Sequence, residues 1–243
     1  MALNKLQVVG IILILTIAGC VKKDDFTLPV KVSLKIGISP DRSFYSDYLY
    51  FTGCQVGIQR IEFEGKRETG GNVHFVTDPE MNLQTLSFTE QPAIISTFDI
   101  PQGVYYNMLW EIAFKCIDTG GLIPDRDESY PCFGIMTTGN YMSLSGAVIP
   151  FIFVIDKPEM FRVRSYDPSG DPVIALSVDK EYEAIVYFDP EKAFSEINRQ
   201  SLEEAQTTGD LLNPAIIISS SMNAELYQIL LYHMFFSASI VVK

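Results

Sequence analysis

The chain has 243 residues, 47% of them hydrophobic, which is enough to build a core in one large domain or two small ones. Its formal net charge is -12 at pH 7. This acidic balance argues against nucleic acid as a partner, because phosphate backbones are held by clustered lysines and arginines.

The N-terminus has the pattern of a secretory signal peptide. Lys5 supplies a positive charge, and the run from Val8 to Ile17 is almost entirely apolar. A membrane-spanning helix needs about 20 apolar residues, so this shorter run indicates a signal peptide rather than a permanent anchor. The small residues Ala18-Gly19 stand directly before Cys20. Residues 1–19 are therefore predicted to be removed.

The residues around the predicted cleavage site resemble lipoprotein signals. Ile17-Ala18-Gly19-Cys20 resembles the bacterial lipobox, in which the cysteine thiol receives a diacylglycerol and the chain is cut in front of it. The resemblance implies that residues 20–28 form an acylated tether, with the membrane as partner through the N-terminal acyl chains.

The tether continues with a short charged cluster, Lys23, Asp24 and Asp25. This cluster resembles the export signal of Bacteroidota lipoproteins that are displayed on the outer face of the outer membrane. It implies a lipid-anchored outer-membrane protein at the cell surface. The alternative is a solvated tether that carries no address information.

Residues 29–188 have the pattern of short strands separated by turns. Apolar residues alternate from Val30 to Ile38, which predicts a half-buried strand. The next stretch slips in parity near Gln59, which predicts a β-bulge. Paired glycines in residues 68–72 predict a hairpin turn. The predicted fold class is mainly β, an antiparallel Greek-key β-sandwich with a few short C-terminal α-helices.

The clearest strand follows Pro101-Gln102-Gly103. Alternation predicts that one set of its residues faces a large core: Tyr106, Met108, Trp110, Ile112, Phe114 and Cys116. Residues 118–140 are rich in glycine, proline and charge and are predicted to form a long loop. Further short strands are predicted over residues 147–155, 160–163 and 182–188.

Residues 189–243 are predicted to form a helical extension packed on the sandwich. Asp189 followed by Pro190 is typical of a helix start, and Ser201-Leu202-Glu203-Glu204 has the capping-box pattern. Asn223 is expected to cap a further helix. Brief strands are predicted over residues 215–219 and 239–242.

Three cysteines remain besides Cys20, in a compartment where disulfides persist. Cys54 and Cys116 each share a face with apolar neighbours, so one possibility is a disulfide between these two strands. A bridge from Cys116 to Cys132 would instead tie down the long loop. Buried free thiols are the third alternative, and no two cysteines have zinc spacing.

No catalytic residue, metal site or cofactor is predicted. His74 and His233 are far apart in the sequence and lie outside any metal-binding motif. No G-x-S-x-G elbow is present. The acidic stretches at residues 125–128 and 167–171 do not match calcium-loop spacing, so solvated turns are the preferred interpretation.

Several tyrosines lie near the starts of predicted strands: Tyr45, Tyr48, Tyr50, Tyr105 and Tyr106. Exposed tyrosines in a cluster would suit stacking against sugars. Packing at strand edges is the alternative interpretation.

The segment Pro101-Gln102-Gly103-Val104-Tyr105 resembles the P-x-G-x-Y corner of transthyretin-like and carboxypeptidase-regulatory-like sandwiches. With the lipobox and the charged tether, the chain resembles Bacteroidota surface lipoproteins built on such sandwiches. This resemblance implies location and fold but no activity. We therefore expect a non-enzymatic surface protein that binds a glycan or an envelope protein, or serves in envelope assembly. A dedicated glycan-binding partner of an outer-membrane uptake system and a hydrolase with an unrecognised site are the alternatives.

Overall fold

The computed structural model describes residues 27–39, 47–77, 84–86, 91–114, 133–157, 159–209 and 214–243. In chain order, its strands are β1 (Pro29–Ile38), β2 (Leu49–Val56), β3 (Ile58–Arg67), β4 (Val73–Thr77), β5 (Gln84–Leu86), β6 (Ala93–Pro101), β7 (Gly103–Phe114), β8 (Ile135–Met142), β9 (Val148–Ile155), β10 (Met160–Tyr166), β11 (Ile174–Leu176), β12 (Tyr182–Phe188), β13 (Thr207–Thr208), β14 (Ala215–Ile218) and β15 (Ser239–Val242). The helices are α1 (Pro190–Ser195), α2 (Arg199–Glu203) and α3 (Ala224–Ser237). Within these ranges, no helix is both long enough and apolar enough to cross a membrane.

The described strands form two sheets. The larger has the order β4-β3-β7-β10-β15-β12-β1-β6, with β11 beside β7, and the smaller has the order β13-β14-β9-β8-β2-β5. A mainly β fold with short C-terminal helices is thereby confirmed. Both sheets are mixed, since β1 pairs with β12, β10 with β15 and β14 with β9 in parallel. The predicted antiparallel Greek-key arrangement is not confirmed, because hydrophobic alternation reports which face is buried and says nothing about the partner strand.

The larger sheet curls until its two edge strands, β4 and β6, approach each other. The rings of Phe75 on β4 and Phe98 on β6 stack with centroids 4.9 Å apart. Both rings pack around Trp110 of β7, which is fully buried, together with Phe63 of β3. This aromatic cluster fills the interior of the nearly closed sheet.

Several local predictions are confirmed. In β1, Val30, Val32, Leu34 and Ile36 are all buried. The register between β3 and β7 shifts between Ile58 and Arg60, which places the expected bulge at Gln59. The hairpin over residues 68–72 joins β3 to β4, and Gly70 adopts a positive φ of 88° at its turn.

The predicted inner face of β7 is wrong at its first residue. Tyr105 is fully buried, whereas Tyr106 is 45% exposed. A register shift between Lys66 and Arg67 of β3 pairs Arg67 with Tyr105 and leaves Tyr106 without a partner on β3. This bulge reverses the alternation once, so Met108, Trp110, Ile112 and Phe114 still face the core.

The predicted loop over residues 118–140 is wrong at its C-terminal end, because β8 begins at Ile135. Gly139, one of the residues assigned to the loop, lies in the middle of this strand. A Cβ atom there would lie 2.5 Å from the Phe151 ring and 2.5 Å from the backbone oxygen of Tyr50. The glycine is therefore explained by close packing inside the sheet. Residues 118–132 lie outside the described residues.

The helix starts are partly as predicted. Asp189 caps α1, and its side chain accepts a hydrogen bond from the backbone N–H of Lys192 at 2.8 Å. The cap predicted at Ser201 is wrong, because Asn198 caps α2 and accepts from the Ser201 N–H. Asn223 precedes α3 as expected but adopts a left-handed conformation with no side-chain capping bond. Its amide instead donates to the backbone oxygens of Ile217 and Gln206.

The C-terminal residues contribute strands to both sheets as well as helices. The last strand, β15, lies between β10 and β12 near the middle of the larger sheet, and β14 extends the smaller sheet beside β9. Between the sheets, Phe194 of α1 contacts the rings of Phe51, Phe151 and Phe153 from the smaller sheet. Helix α3 joins the two sheets, because its Tyr227 ring contacts Phe153 of the smaller sheet and its Phe235 ring contacts Phe114 and Phe161 of the larger one.

Candidate functional site

The residues that the sequence assigns to membrane attachment and export, Cys20, Lys23, Asp24 and Asp25, lie outside the described residues. So do Cys116 and Cys132. Their assignments stay predictions.

Cys54 is a fully buried free thiol on β2. The Thr137 hydroxyl donates to its sulfur across 3.7 Å. Burial raises the pKa of the Cys54 thiol to about 12, so the thiol stays protonated and unreactive at neutral pH. Cys54 therefore carries no disulfide in the structure, and of the alternatives given for it the buried free thiol is the one that the structure has.

The two histidines are on different elements. His74, on β4, has its Nε2 3.0 Å from the Glu62 carboxylate on β3, and His233 lies on α3 beside the ring of Tyr232. The His74 contact lowers the pKa of Glu62. In the part of the chain that is described, no three side chains of His, Cys, Asp or Glu come together as a metal site would require.

The acidic loop at residues 167–171 is folded upon itself. Asp167 accepts hydrogen bonds from the Ser169 N–H, the Ser169 hydroxyl and the Asp171 N–H. These bonds lower the pKa of Asp167, with the largest contribution from the Ser169 hydroxyl. The carboxylate is thus occupied by its own turn. The acidic stretch at residues 125–128 lies outside the described residues.

The candidate sugar-stacking tyrosines do not form one cluster. Tyr50 is 47% exposed on β2 of the smaller sheet, and Tyr106 is 45% exposed on β7 of the larger sheet. Tyr48 packs edge-on against Tyr141, and Tyr105 is buried. Tyr45 lies outside the described residues.

The strand directions place residues 27–28, the described end of the predicted tether, at one end of the larger sheet. β1, β4, β7 and β12 begin there, and β3, β6, β10, β11 and β15 end there. We call this end the tether pole. It comprises the following segments: residues 27–28, the hairpin 68–72, residues 102–106, residues 166–173, the turn 177–181 and Lys243.

The tether joins the tether pole at the corner between β6 and β7. The Gln102 N–H donates to the Leu28 backbone oxygen at 2.8 Å. Beside it, the Tyr105 hydroxyl donates to the Pro101 oxygen at 2.6 Å. Arg67 donates to Gln102 O at 3.2 Å and to Gly71 O at 2.8 Å. These bonds connect the corner, the β3–β4 hairpin and the last tether residue.

Burial of its ring raises the pKa of Tyr105 to about 12, so its hydroxyl remains a donor over the physiological range. Gly103 follows the corner with a φ of 144°, which a side chain rarely adopts. The corner is therefore a local structure that fixes where the tether leaves the fold.

The opposite end of the larger sheet carries α3 and an exposed aromatic strip. Ser237 at the end of α3 donates to the Asp189 oxygen just beyond the last residue of β12. On the outer side of this helix, Ile229 is 40%, Tyr232 62% and Phe236 74% exposed. The Tyr232 and Phe236 rings stack with centroids 5.8 Å apart and planes 11° apart.

A polar clamp attaches α2 to the smaller sheet. The Glu203 carboxylate accepts from the Tyr141 hydroxyl and from the Leu144 N–H, each at 2.5 Å. Arg199 donates to the backbone oxygens of Met142 and Ser143, each at 3.0 Å. In the sequence, Glu203 stands out only as part of a capping-box pattern, because partners about 60 residues apart leave no local signal.

The clamp should make stability depend on acid pH. Hydrogen bonding from Tyr141, and then from Leu144, lowers the pKa of Glu203 in the folded chain. Its stabilising effect should therefore be complete above the ordinary glutamate pKa and disappear as the pH falls through the lowered value. We expect Glu203→Gln to reduce the urea midpoint at pH 7, with the difference from wild type shrinking towards pH 3.

The matched control is Glu204→Gln, which removes the same charge one residue along the chain, from a carboxylate that accepts from Gln200 rather than from Tyr141. Its difference from wild type should change less with pH. A Glu203→Gln difference that is constant from pH 7 to pH 3 would contradict the role of the ionised carboxylate.

Comparison with known proteins identifies no relative of this chain. The chain matches no protein family, and no curated protein or solved structure is significantly similar to it.

Proposed function

We propose that the protein is a lipid-anchored component of the cell envelope without catalytic activity, displayed at the outer-membrane surface as a binding or assembly protein. The Ile17-Ala18-Gly19-Cys20 tetrapeptide after a short apolar run carries the proposal. With two or three acyl chains on Cys20, burial of each methylene contributes about 0.8 kcal/mol, which makes attachment stable.

The position of β1 in the sheet supports this proposal. β1 begins nine residues after Cys20 in the sequence and is hydrogen bonded on both sides, to β12 and to β6. The last tether residue is itself held at the corner by Gln102. A lipid anchor on Cys20 would therefore be connected to a strand inside the larger sheet, which is hydrogen bonded on both sides.

Attachment is tested by Cys20→Ala expressed in the native cell type. We expect the wild type in the outer-membrane fraction and the variant released or retained with its signal peptide. Cys54→Ala is the control, because it removes another cysteine that lies in the core. Membrane attachment of Cys20→Ala equal to that of wild type would contradict the proposal.

Display at the surface is tested with protease added to intact cells. We expect wild type to be cleaved and a variant with Asp24→Ala and Asp25→Ala to be lipidated but protected. Equal cleavage of both proteins would mean that these aspartates are not part of an export signal.

A second candidate function is glycan binding as a partner of an outer-membrane uptake system. The exposed Tyr232 and Phe236 rings favour it, because sugars stack on exposed aromatic faces and this strip lies at the end opposite the tether. We expect Phe236→Ala to weaken polysaccharide binding in affinity electrophoresis by about 1 kcal/mol, roughly fivefold. Tyr106→Ala, at the tether pole, is the control and should leave binding unchanged. If the wild-type protein binds none of the polysaccharides tested, glycan binding is excluded as its function.

A further inference from the structure

The tether pole carries exposed apolar side chains from four separate segments. They are Leu28 (44% exposed), Tyr106 (45%), Tyr166 (37%), Val173 (42%) and Val178 (44%). Two of the five are tyrosines, whose amphipathic rings are enriched at membrane–water interfaces. Leu28 is the last residue before β1 and so lies at the end of the tether.

The length of the tether decides which end of the molecule can approach a membrane. Cys20 and Leu28 are eight residues apart, so at about 3.5 Å per residue the tether spans about 28 Å when fully extended. β1 contains 10 residues, which corresponds to about 33 Å along the sheet. If the opposite end rested on the membrane, the tether would have to be almost fully extended, because strands of a nearly closed sheet tilt by about 40° and β1 then spans about 25 Å of height. The tether pole is the end that a slack tether holds at the membrane.

The charges of the tether pole indicate which lipid surface it would accept. Glu68, Asp171, Asp179 and Glu181 are exposed there. Exposed lysines in these segments are fewer, namely Lys180 and Lys243, and the exposed Lys31 beside them on β1 is paired in register with the exposed Asp99 of β6. Anionic headgroups would be repelled by this balance, whereas uncharged or zwitterionic headgroups would not.

We propose that the tether pole rests on the membrane that holds the lipid anchor, with Leu28, Tyr106, Tyr166, Val173 and Val178 contacting zwitterionic lipid at the headgroup boundary. This inference depends on the lipid anchoring of Cys20 proposed above. It adds a fixed orientation, in which α3 and the smaller sheet point away from the membrane.

The test uses the full lipidated chain reconstituted in phosphatidylcholine vesicles with brominated acyl chains, which quench nearby tryptophan. Val178→Trp places a reporter at the tether pole. Val148→Trp is the matched control, because Val148 is 64% exposed and the chain runs from it through β9 and β10 before reaching the tether pole at Tyr166. The native Trp110 is fully buried and provides the background.

We expect Val178→Trp to lose about half of its added emission, since interfacial side chains sink roughly 5–10 Å into the headgroup boundary. Val148→Trp should be unquenched. Adding phosphatidylglycerol should reduce the quenching of Val178→Trp. If both variants bind the vesicles and lose the same fraction of their added emission, the proposed orientation is wrong, but the lipid anchor is not contradicted. Failure of the protein to float with the vesicles would overturn the anchor, and the orientation with it.

Discussion

Trp110→Ala should lower the free energy of unfolding by about 3–5 kcal/mol, the range found when large buried aromatics are truncated. Trp110 is fully buried, and its ring contacts Phe63, Phe75 and Phe98. Its indole N–H also donates to the Ser165 hydroxyl at 3.0 Å. The substitution would leave a cavity where the edge strands of the larger sheet approach each other.

The measurement is urea unfolding followed by far-UV circular dichroism, because Trp110 is the only tryptophan and its fluorescence is lost in the variant. Ser165→Ala separates the hydrogen bond from the packing and should cost about 1–3 kcal/mol, since it leaves the indole N–H buried and unpaired. A loss from Trp110→Ala no larger than that from Ser165→Ala would contradict the packing described for the core.

Gly139→Ala should lower the free energy of unfolding by about 1–3 kcal/mol, the typical cost of inserting an extra methyl group into a packed site. One of the atoms it would meet is the backbone oxygen of Tyr50, which cannot move without shifting β2, and the other is the Phe151 ring. The unfolding of this variant can be followed by the fluorescence of Trp110.

Gly71→Ala is the matched control for Gly139→Ala. A Cβ atom at Gly71 meets no atom within 4 Å, so this variant should stay within about 0.5 kcal/mol of wild type. Equal stability of the two variants would show that β2, β8 and β9 are not packed as the structure has them.

The sequence alone was enough to predict features that depend on neighbouring residues within one strand. Alternation identified β1 and the inner face of β7 from Met108 onward, and a single slip in parity located the bulge at Gln59. Each of these patterns depends only on burial of one side of a strand. The bulge at Tyr106 could not be predicted, because Tyr105 and Tyr106 are adjacent and identical. The sequence pattern fits equally well whichever of the two faces the core.

Features that depend on distant partners could not be predicted. Gly139 resembles a turn residue until β2 and β9 are known to pack on either side of it. The hydrogen bond between Glu203 and Tyr141 joins two different elements, so no periodic pattern within one helix or strand could reveal it. The parallel pairing of β1 with β12 likewise follows from the returning chain, not from either strand's own pattern.

The proposed lipid anchor requires that the mature chain begin at a lipid-modified Cys20. The most direct measurement is mass spectrometry of the N-terminal tryptic peptide of the membrane-extracted protein, which trypsin releases after Lys22. If the anchor is present, this peptide begins at Cys20 and carries a diacylglyceryl thioether, with or without a further acyl chain on its amino group. An unmodified Cys20, or a chain that begins at any other residue, would contradict the proposed anchor.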